Sequence, residues 1–310
     1  MKIVICGLWH VHAKDYYREA VKHAEILGVW DSDPKKQQDF CETYGTHGFN
    51  SFEELLQSGA DAAMVCTATD MHTDVMVRLA ESGIDIFTEK VLALTSAECE
   101  KIEKAVEKNG VRFMISFPHK FLAGVRLVKQ IIENGELGKV NYCRYRNAHN
   151  GSSADWLPAH FYNKRECGGG AMIDLGAHGM YVIEWLLGMP QSASSTFTIA
   201  CDNPKNADRV EDNAVTVFKY HNGAVAINET GFATPKNPIT LDVCGESGWV
   251  RFDGNTVEKY TDGVFTKQEI PTENNLPLPI TQFCTGNILD GCGMEEAKKL
   301  TKLMEMAYGR

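Results

Sequence analysis

Short apolar runs alternate with amphipathic stretches along the first third of the chain. Lys2–Cys6, Ile26–Trp30, Ala62–Cys66, Ile84–Phe87 and Arg112–Ser116 are brief, mostly apolar and bounded by Gly or polar residues. Such runs predict buried parallel strands. Helices are predicted between them. One covers Asp15–His23, one opens at Pro34, and one runs from about Asp74 to Ser82. Two more open at the capping boxes Ser51-Phe-Glu-Glu54 and Thr95-Ser-Ala-Glu98. Strand–helix alternation of this kind implies a doubly wound parallel sheet covered on both faces, an α/β fold.

The pattern changes after Phe117-Pro118. A helix from about Leu122 to Glu133 precedes a long strand at Val140–Ala148. The loop Gly168-Gly-Gly170 leads into an apolar helix, Met172–Leu187, stopped by Gly188 before Pro190. From Ser194 to about Ile270 strands dominate. Asn213–Tyr220 and Ala224–Gly231 flank His221-Asn-Gly223, a hairpin turn signal. Trp249–Phe252 and Val264–Ile270 continue the set, and helices return at Ile280–Leu289 and Glu295–Ala307. The expected domains are therefore a Rossmann-like unit over 1–118 and an α+β unit over 119–310. The second carries a large, mostly antiparallel open sheet, and the last helices can pack back on the first domain.

Composition narrows the function classes. The chain has 310 residues, with 31 Lys plus Arg against 41 Asp plus Glu, a formal net charge of −10. An acidic chain has no electrostatic footprint for nucleic acid or an anionic membrane. No apolar run approaches the roughly 18 residues of a membrane span. The start, MKIVICGLWH, reads as a first strand rather than a secretory signal. The 10 cysteines include no CxxC pair, so they are expected to be reduced, mostly buried thiols of a cytoplasmic protein.

Three places could carry chemistry. The first is the turn after the first strand, with Gly7 standing where a nucleotide-binding βαβ unit has its first glycine. Asp31 ends the second strand, where an acid would accept hydrogen bonds from ribose hydroxyls and repel a 2′-phosphate, favouring NAD over NADP. Trp9 and His12 stand where further glycines are expected, and the alternative is a plain βα turn. The second place is Glu89-Lys90, at the carboxyl end of a parallel strand, where ligands bind in open α/β sheets. Lys90 could hydrogen-bond a substrate hydroxyl, and the alternative is a surface ion pair. The third is Asp174 and His178. A spacing of four puts both on one helix face, where Asp174 could orient the imidazole of a general base. The alternative is a self-satisfied core pair.

His10-Val-His12 lacks a nearby third ligand motif, so no metal site is expected. His72, in the turn after Thr67, either lines a nicotinamide pocket or caps its helix. Trp156, His160, Tyr162 and Lys164 suit a sugar-sized pocket or serve as ordinary loop anchors.

Taken in order, these residues resemble the Gfo/Idh/MocA oxidoreductases. Glu89-Lys90 matches the E-K-P motif, with Val91 in place of its proline. Gly168–Gly170 through Asp174, His178, Trp185, Leu186 and Gly188 matches the GGG…DxGxH…WLxG segment. Asn134-Gly-Glu-Leu-Gly138 matches the GELG turn, and Gln282-Phe283 with the final helices matches the C-terminal segment. Ala68 and Thr69 stand where the family has Pro-Asn. The resemblance implies NAD(P)-dependent oxidation of a sugar or polyol hydroxyl, or the reverse reduction. Lys90 would contact the reacting hydroxyl, His178 would take its proton, and Asp174 would support His178. Gly7, Trp9, His10, Asp31, Thr67, His72, Glu89 and Lys90 form the expected cofactor set. Lys90, Trp156, His160, Tyr162, Asp174 and His178 form the substrate set. A dimer or tetramer is implied as well. Two other readings stay open: a glycosidase or lyase with recycled NAD, and a non-catalytic nucleotide- or sugar-binding regulator.

Overall fold

Five strands, β1 (Lys2–Cys6), β2 (Glu25–Trp30), β3 (Ala62–Val65), β4 (Asp85–Thr88) and β5 (Phe113–Ile115), form a wholly parallel sheet in the order β2-β1-β3-β4-β5. This computed structural model describes residues 1–235, 239–287 and 291–310. The strands lack polar alternation because both faces are covered: every residue of β3 and Ile3–Cys6 of β1 are buried. The helices are α1 (Ala13–Ala20), α2 (Pro34–Tyr44), α3 (Phe52–Leu56), α4 (His72–Glu81) and α5 (Ser96–Asn109). The capping box at Thr95 forms in full. At Ser51 only half of it forms. The Ser51 hydroxyl accepts from Glu54 N–H, but the Glu54 carboxylate turns to the Asn50 backbone and side-chain amides.

The other sheet has eight strands: β6 (Val140–Ala148), β7 (Ser192–Thr198), β8 (Asn213–Lys219), β9 (Val225–Gly231), β10 (Thr240–Gly245), β11 (Gly248–Phe252), β12 (Val257–Thr261) and β13 (Val264–Gln268). Their order is β13-β12-β11-β10-β6-β9-β8-β7, and only the β6–β9 pair is parallel. The helices of this unit are α6 (Ala123–Glu133), α7 (Lys164–Cys167) and α8 (Ala177–Leu187). Gly179 lets α8 approach β9 closely: a Cβ there would lie 2.0 Å from Asn228 Oδ1.

The expected continuous helix Met172–Leu187 is not one regular helix. Met172–Gly176 forms a π turn, and α8 follows it. The wider turn frees carbonyls from the usual ladder, and sheet side chains take them up. Asn228 Nδ2 donates to Gly176 O at 2.8 Å, and Asn147 Nδ2 donates to Leu175 O at 3.2 Å.

The chain divides into two compact units, 1–116 with 278–301 and 117–277 with 302–310. In the first, α9 (Pro279–Thr285) packs its Phe283 ring 5.6 Å from Phe87, beneath the Arg112 guanidinium. The helix expected over Ile280–Leu289 stops at Thr285, capped by Gly286; Ile288 and Leu289 lie outside the described residues. α10 spans Met294–Tyr308. No helix among the described residues is long and apolar enough to cross a membrane. The ten cysteines are thiols rather than disulfides; six are buried, and Cys41, Cys201, Cys244 and Cys284 are half-buried.

Candidate active site

The turn after β1 is shaped by Gly7. Its φ is +84°, and a Cβ there would meet Thr67 Cγ2 at 2.5 Å, so only glycine fits. The N–H groups of Trp9 and His10 both donate to Cys66 O at 3.1 Å, fastening the turn to the end of β3. Asp31 closes the same edge from β2. Its buried carboxylate accepts the N–H groups of Leu8 and Asp33. Burial raises its pKa, against the pull of those two backbone bonds and of Lys36.

Glu89 and Lys90 follow β4 and are 2% and 5% exposed, so the surface ion-pair reading does not hold. Glu89 Oε1 accepts from the Tyr16 hydroxyl and lies 2.8 Å from His12 Nδ1, while Tyr16 also bonds Ser116 Oγ at 2.8 Å. Burial alone would raise the Glu89 pKa, but the charges of His10, His12 and Lys90 hold it far below the usual carboxylate range. The ligand atoms of His10, His12 and Glu89 fall within 4.8 Å of one another, a grouping able to hold a metal ion. The 2.8 Å His12–Glu89 contact is, however, a direct hydrogen bond. Two ligands sharing a tetrahedral Zn²⁺ keep about 3.3 Å apart, given their bond lengths. As it stands, the cluster forms a charge-assisted hydrogen-bond network.

His72 is 1% exposed. Its Nδ1 lies 3.1 Å from both Val91 O and Leu92 O, and its Nε2 lies 3.3 Å from Thr67 O. Its side chain does not cap α4, whose N-cap is Met71. Instead it pins the chain after Lys90 to the end of β3, where the Lys90–Val91 peptide is cis. Burial lowers the His72 pKa. The unfolded chain therefore binds the proton more readily, and stability present above about pH 6.5 is lost as pH falls through the folded value. Thermal midpoints measured from pH 8 down to pH 5 are expected to fall, and His72→Gln is expected to flatten that slope. An equal slope in both proteins would exclude His72 as the source.

In the second unit, Asp174 sits within the π turn and His178 is the second residue of α8, so regular helical spacing does not relate them. His178 is 5% exposed, and its Nδ1 lies 2.8 Å from the Tyr181 hydroxyl. Burial lowers the His149 pKa against the opposing pull of the Asp174 carboxylate, and the His149 ring stacks on Phe232. His119 stacks on His178 with ring centroids 4.0 Å apart. Its backbone N–H donates to the Tyr181 oxygen at 2.9 Å, and its Nδ1 lies 2.7 Å from the Tyr145 hydroxyl. Sequence reasoning named none of His119, Tyr145 and Tyr181. Tyr181, three residues after His178 on one helix, was findable from helical spacing. His119 and Tyr145 carried no local signal.

The loop residues separate by environment. Trp156 is 53% exposed; it packs on His149 and donates its indole N–H to Asn150 Oδ1. His160 is half-buried beside Phe161, and its carbonyl takes the Cys167 thiol. Tyr162 is the most buried of the four. It is 1% exposed and its hydroxyl bonds Ser152 Oγ, so it anchors the loop to the core. Lys164 lines a cavity of about 730 Å³ with Gly168, Gly169, Arg209, Tyr308 and Arg310.

Residues 1–117 match the oxidoreductase family with an NAD-binding Rossmann fold, and residues 125–251 match the Gfo/Idh/MocA C-terminal domain. The chain belongs to the Gfo/Idh/MocA family. NAD is the cofactor of its first domain. The scyllo-inositol 2-dehydrogenase (NAD(+)) of Bacillus subtilis (strain 168) is 27% identical over 245 residues, covering 78% of this chain and 69% of that protein. The 2,7-anhydro-N-acetylneuraminate hydratase of Mediterraneibacter gnavus is 25% identical over 244 residues, covering 74% of this chain. The match spans only 64% of the hydratase's length, and the same share of an uncharacterised oxidoreductase of Streptococcus pneumoniae. A levoglucosan dehydrogenase solved with NADH and levoglucosan superposes with a TM-score of 0.84 at 17% identity, covering 100% of this chain and 96% of that one. That likeness shows the shared fold.

Proposed function

We propose that this Gfo/Idh/MocA protein is an NAD-dependent dehydrogenase or reductase acting on a hydroxyl or ketone of a sugar, cyclitol or related polyol. The observation that carries the reading is His178, a buried imidazole whose Nδ1 is engaged by a tyrosine hydroxyl. With Nδ1 occupied by that hydroxyl, Nε2 is the ring nitrogen left to face a substrate proton.

The residues of the first unit fit the dinucleotide. Gly7 lets the turn after β1 lie tightly against Thr67 at the carboxyl edge of the sheet, and Asp31 places a carboxylate at the end of β2 for ribose hydroxyls. NAD supplies the hydride acceptor when bound. Lys90, held buried beside ionised Glu89, hydrogen-bonds the reacting hydroxyl and favours its alkoxide character. His178 accepts the hydroxyl proton, and Asp174 supplies negative charge in the same unit. Trp156 and His160 supply aromatic and hydrogen-bonding surface for a hydroxyl-rich ligand. The polyol substrates named for the inositol relative support this class. The thiol state of all ten cysteines suits a cytoplasmic enzyme, and a homo-oligomer belongs to the same reading.

The test is a titration with NAD(H) and NADP(H) separately, followed by a polyol screen for NADH formation. NAD(H) is expected to bind more tightly. Asp31→Asn keeps a backbone acceptor but loses the charge. It should weaken NAD(H) binding about 10-fold and narrow the gap to NADP(H), the worth of one charge-assisted hydrogen bond. Equal affinities in wild type and variant would remove Asp31 from the ribose.

A further inference from the structure

We infer that Tyr181 is a positioning residue for His178. Seated by the backbone of His119, its hydroxyl oxygen accepts the Nδ1 proton of His178 and so makes Nε2 the basic atom. The inference rests on the reading of His178 as the base.

The geometry works from the one donor whose direction is fixed. A backbone N–H only donates, so the His119 amide at 2.9 Å gives its hydrogen to the Tyr181 oxygen. That oxygen keeps a second acceptor site, which His178 Nδ1, 2.8 Å away, fills under this inference by donating its own proton; the opposite direction, Tyr181 O–H to Nδ1, would put the ring hydrogen on Nε2. The neutral ring then carries its hydrogen on Nδ1 and its lone pair on Nε2. When Nε2 takes a hydroxyl proton, the O–H bond breaks, an N–H bond forms, and the electron pair stays on the substrate oxygen. The imidazolium keeps its Nδ1–H bond to Tyr181, now charge-assisted and stronger.

The tyrosine itself is held firmly. It is 1% exposed, and its ring stacks on Phe117 with centroids 4.3 Å apart. The ionisable groups on α8 and on the elements packed against it come from several places. Tyr181 lies on α8, Asp174 in the π turn, and His119 and Lys120 in the 118–121 turn. β6 contributes Tyr145 and Cys143, both kept protonated by burial, and β9 presents Ala226, Asn228 and Thr230 on that face. The His119 ring, stacked on His178, makes a second positive charge there costly, while Tyr145 occupies its Nδ1.

The experiment compares wild type, Tyr181→Phe and His178→Ala in full-length protein. Tyr181→Phe keeps the ring stack and loses only the hydroxyl. It is expected to lower kcat about 10-fold or more with the KM for NAD unchanged. It should also shift the acid limb of the kcat/KM profile down by about one pH unit, because the imidazolium loses its acceptor. Nitrogen NMR of the imidazole in wild-type protein should show the Nδ1–H tautomer of His178, which needs no variant to fold. An Nε2–H tautomer, or an acid limb unmoved in Tyr181→Phe, overturns the inference. Undiminished turnover in His178→Ala instead overturns the base assignment beneath it.

Discussion

His178→Ala is expected to lower kcat by about 10²–10⁴-fold, the usual contribution of a positioned general base. The fold should survive. The substitution removes a side chain that is 5% exposed, leaving the Tyr181 hydroxyl with its His119 partner and the His119 ring without its stacking neighbour. A loss of roughly 1–3 kcal/mol in stability is the scale for such a truncation. NAD(H) affinity should stay within about two-fold, because Gly7 and Asp31 belong to the other unit. Steady-state kinetics at saturating polyol, a thermal melt and a cofactor titration separate these effects. Near-normal kcat in a folded variant that binds NAD would remove His178 from the chemistry. Lys90→Met gives the companion measurement in the first unit and should cost at least about 10²-fold in kcat/KM.

Gly7→Ala is expected to lose both stability and cofactor binding. The left-handed backbone at φ +84° costs an alanine about 1–2 kcal/mol. The new Cβ also lies 2.5 Å from Thr67 Cγ2 and 2.7 Å from the Thr67 backbone N and Cα. Backbone cannot swing aside as a side-chain tip can, so overpacking adds about 1–3 kcal/mol. The turn would have to lift from β3, breaking the Trp9 and His10 bonds to Cys66 O. Gly110→Ala is the control. It has a similar φ of +64°, but a Cβ there meets nothing within 4 Å. It should cost only the backbone penalty and leave NAD(H) affinity unchanged. Equal losses in the two variants would mean that the contact with Thr67 carries no weight.

Much of the molecule was legible before folding. Buried parallel strands announce themselves as short apolar runs, and β1 to β5 appeared within a residue or two of their observed bounds. Thr95 and Glu98 announce a helix start because a capping box is a four-residue device. Asn222-Gly223 announced the β8–β9 hairpin for the same local reason. Departures arose where another partner, near or far in sequence, competes with the local rule. Glu54 left its box for its neighbour Asn50, and between pocket lining and loop anchor Tyr162 bonds Ser152 in the core. The run Met172–Leu187 has helical periodicity throughout. Only Asn147 on β6 and Asn228 on β9 reveal why its first turn is wide.

The sequence by itself determined the fold class and placed the chemically capable residues Asp31, Glu89, Lys90, Asp174 and His178. Hydrophobic periodicity and short motifs are properties of neighbours along the chain. The tertiary structure alone decided what each of those residues touches. Glu89 is ringed by His10, His12 and Tyr16, residues some 73 to 79 positions away in sequence, and His178 meets His119 across 59. Such contacts depend on how strands order themselves in a sheet and how helices lie upon it. The energy that selects that arrangement comes from burying the apolar faces as a whole, so no local pattern near either partner encodes it.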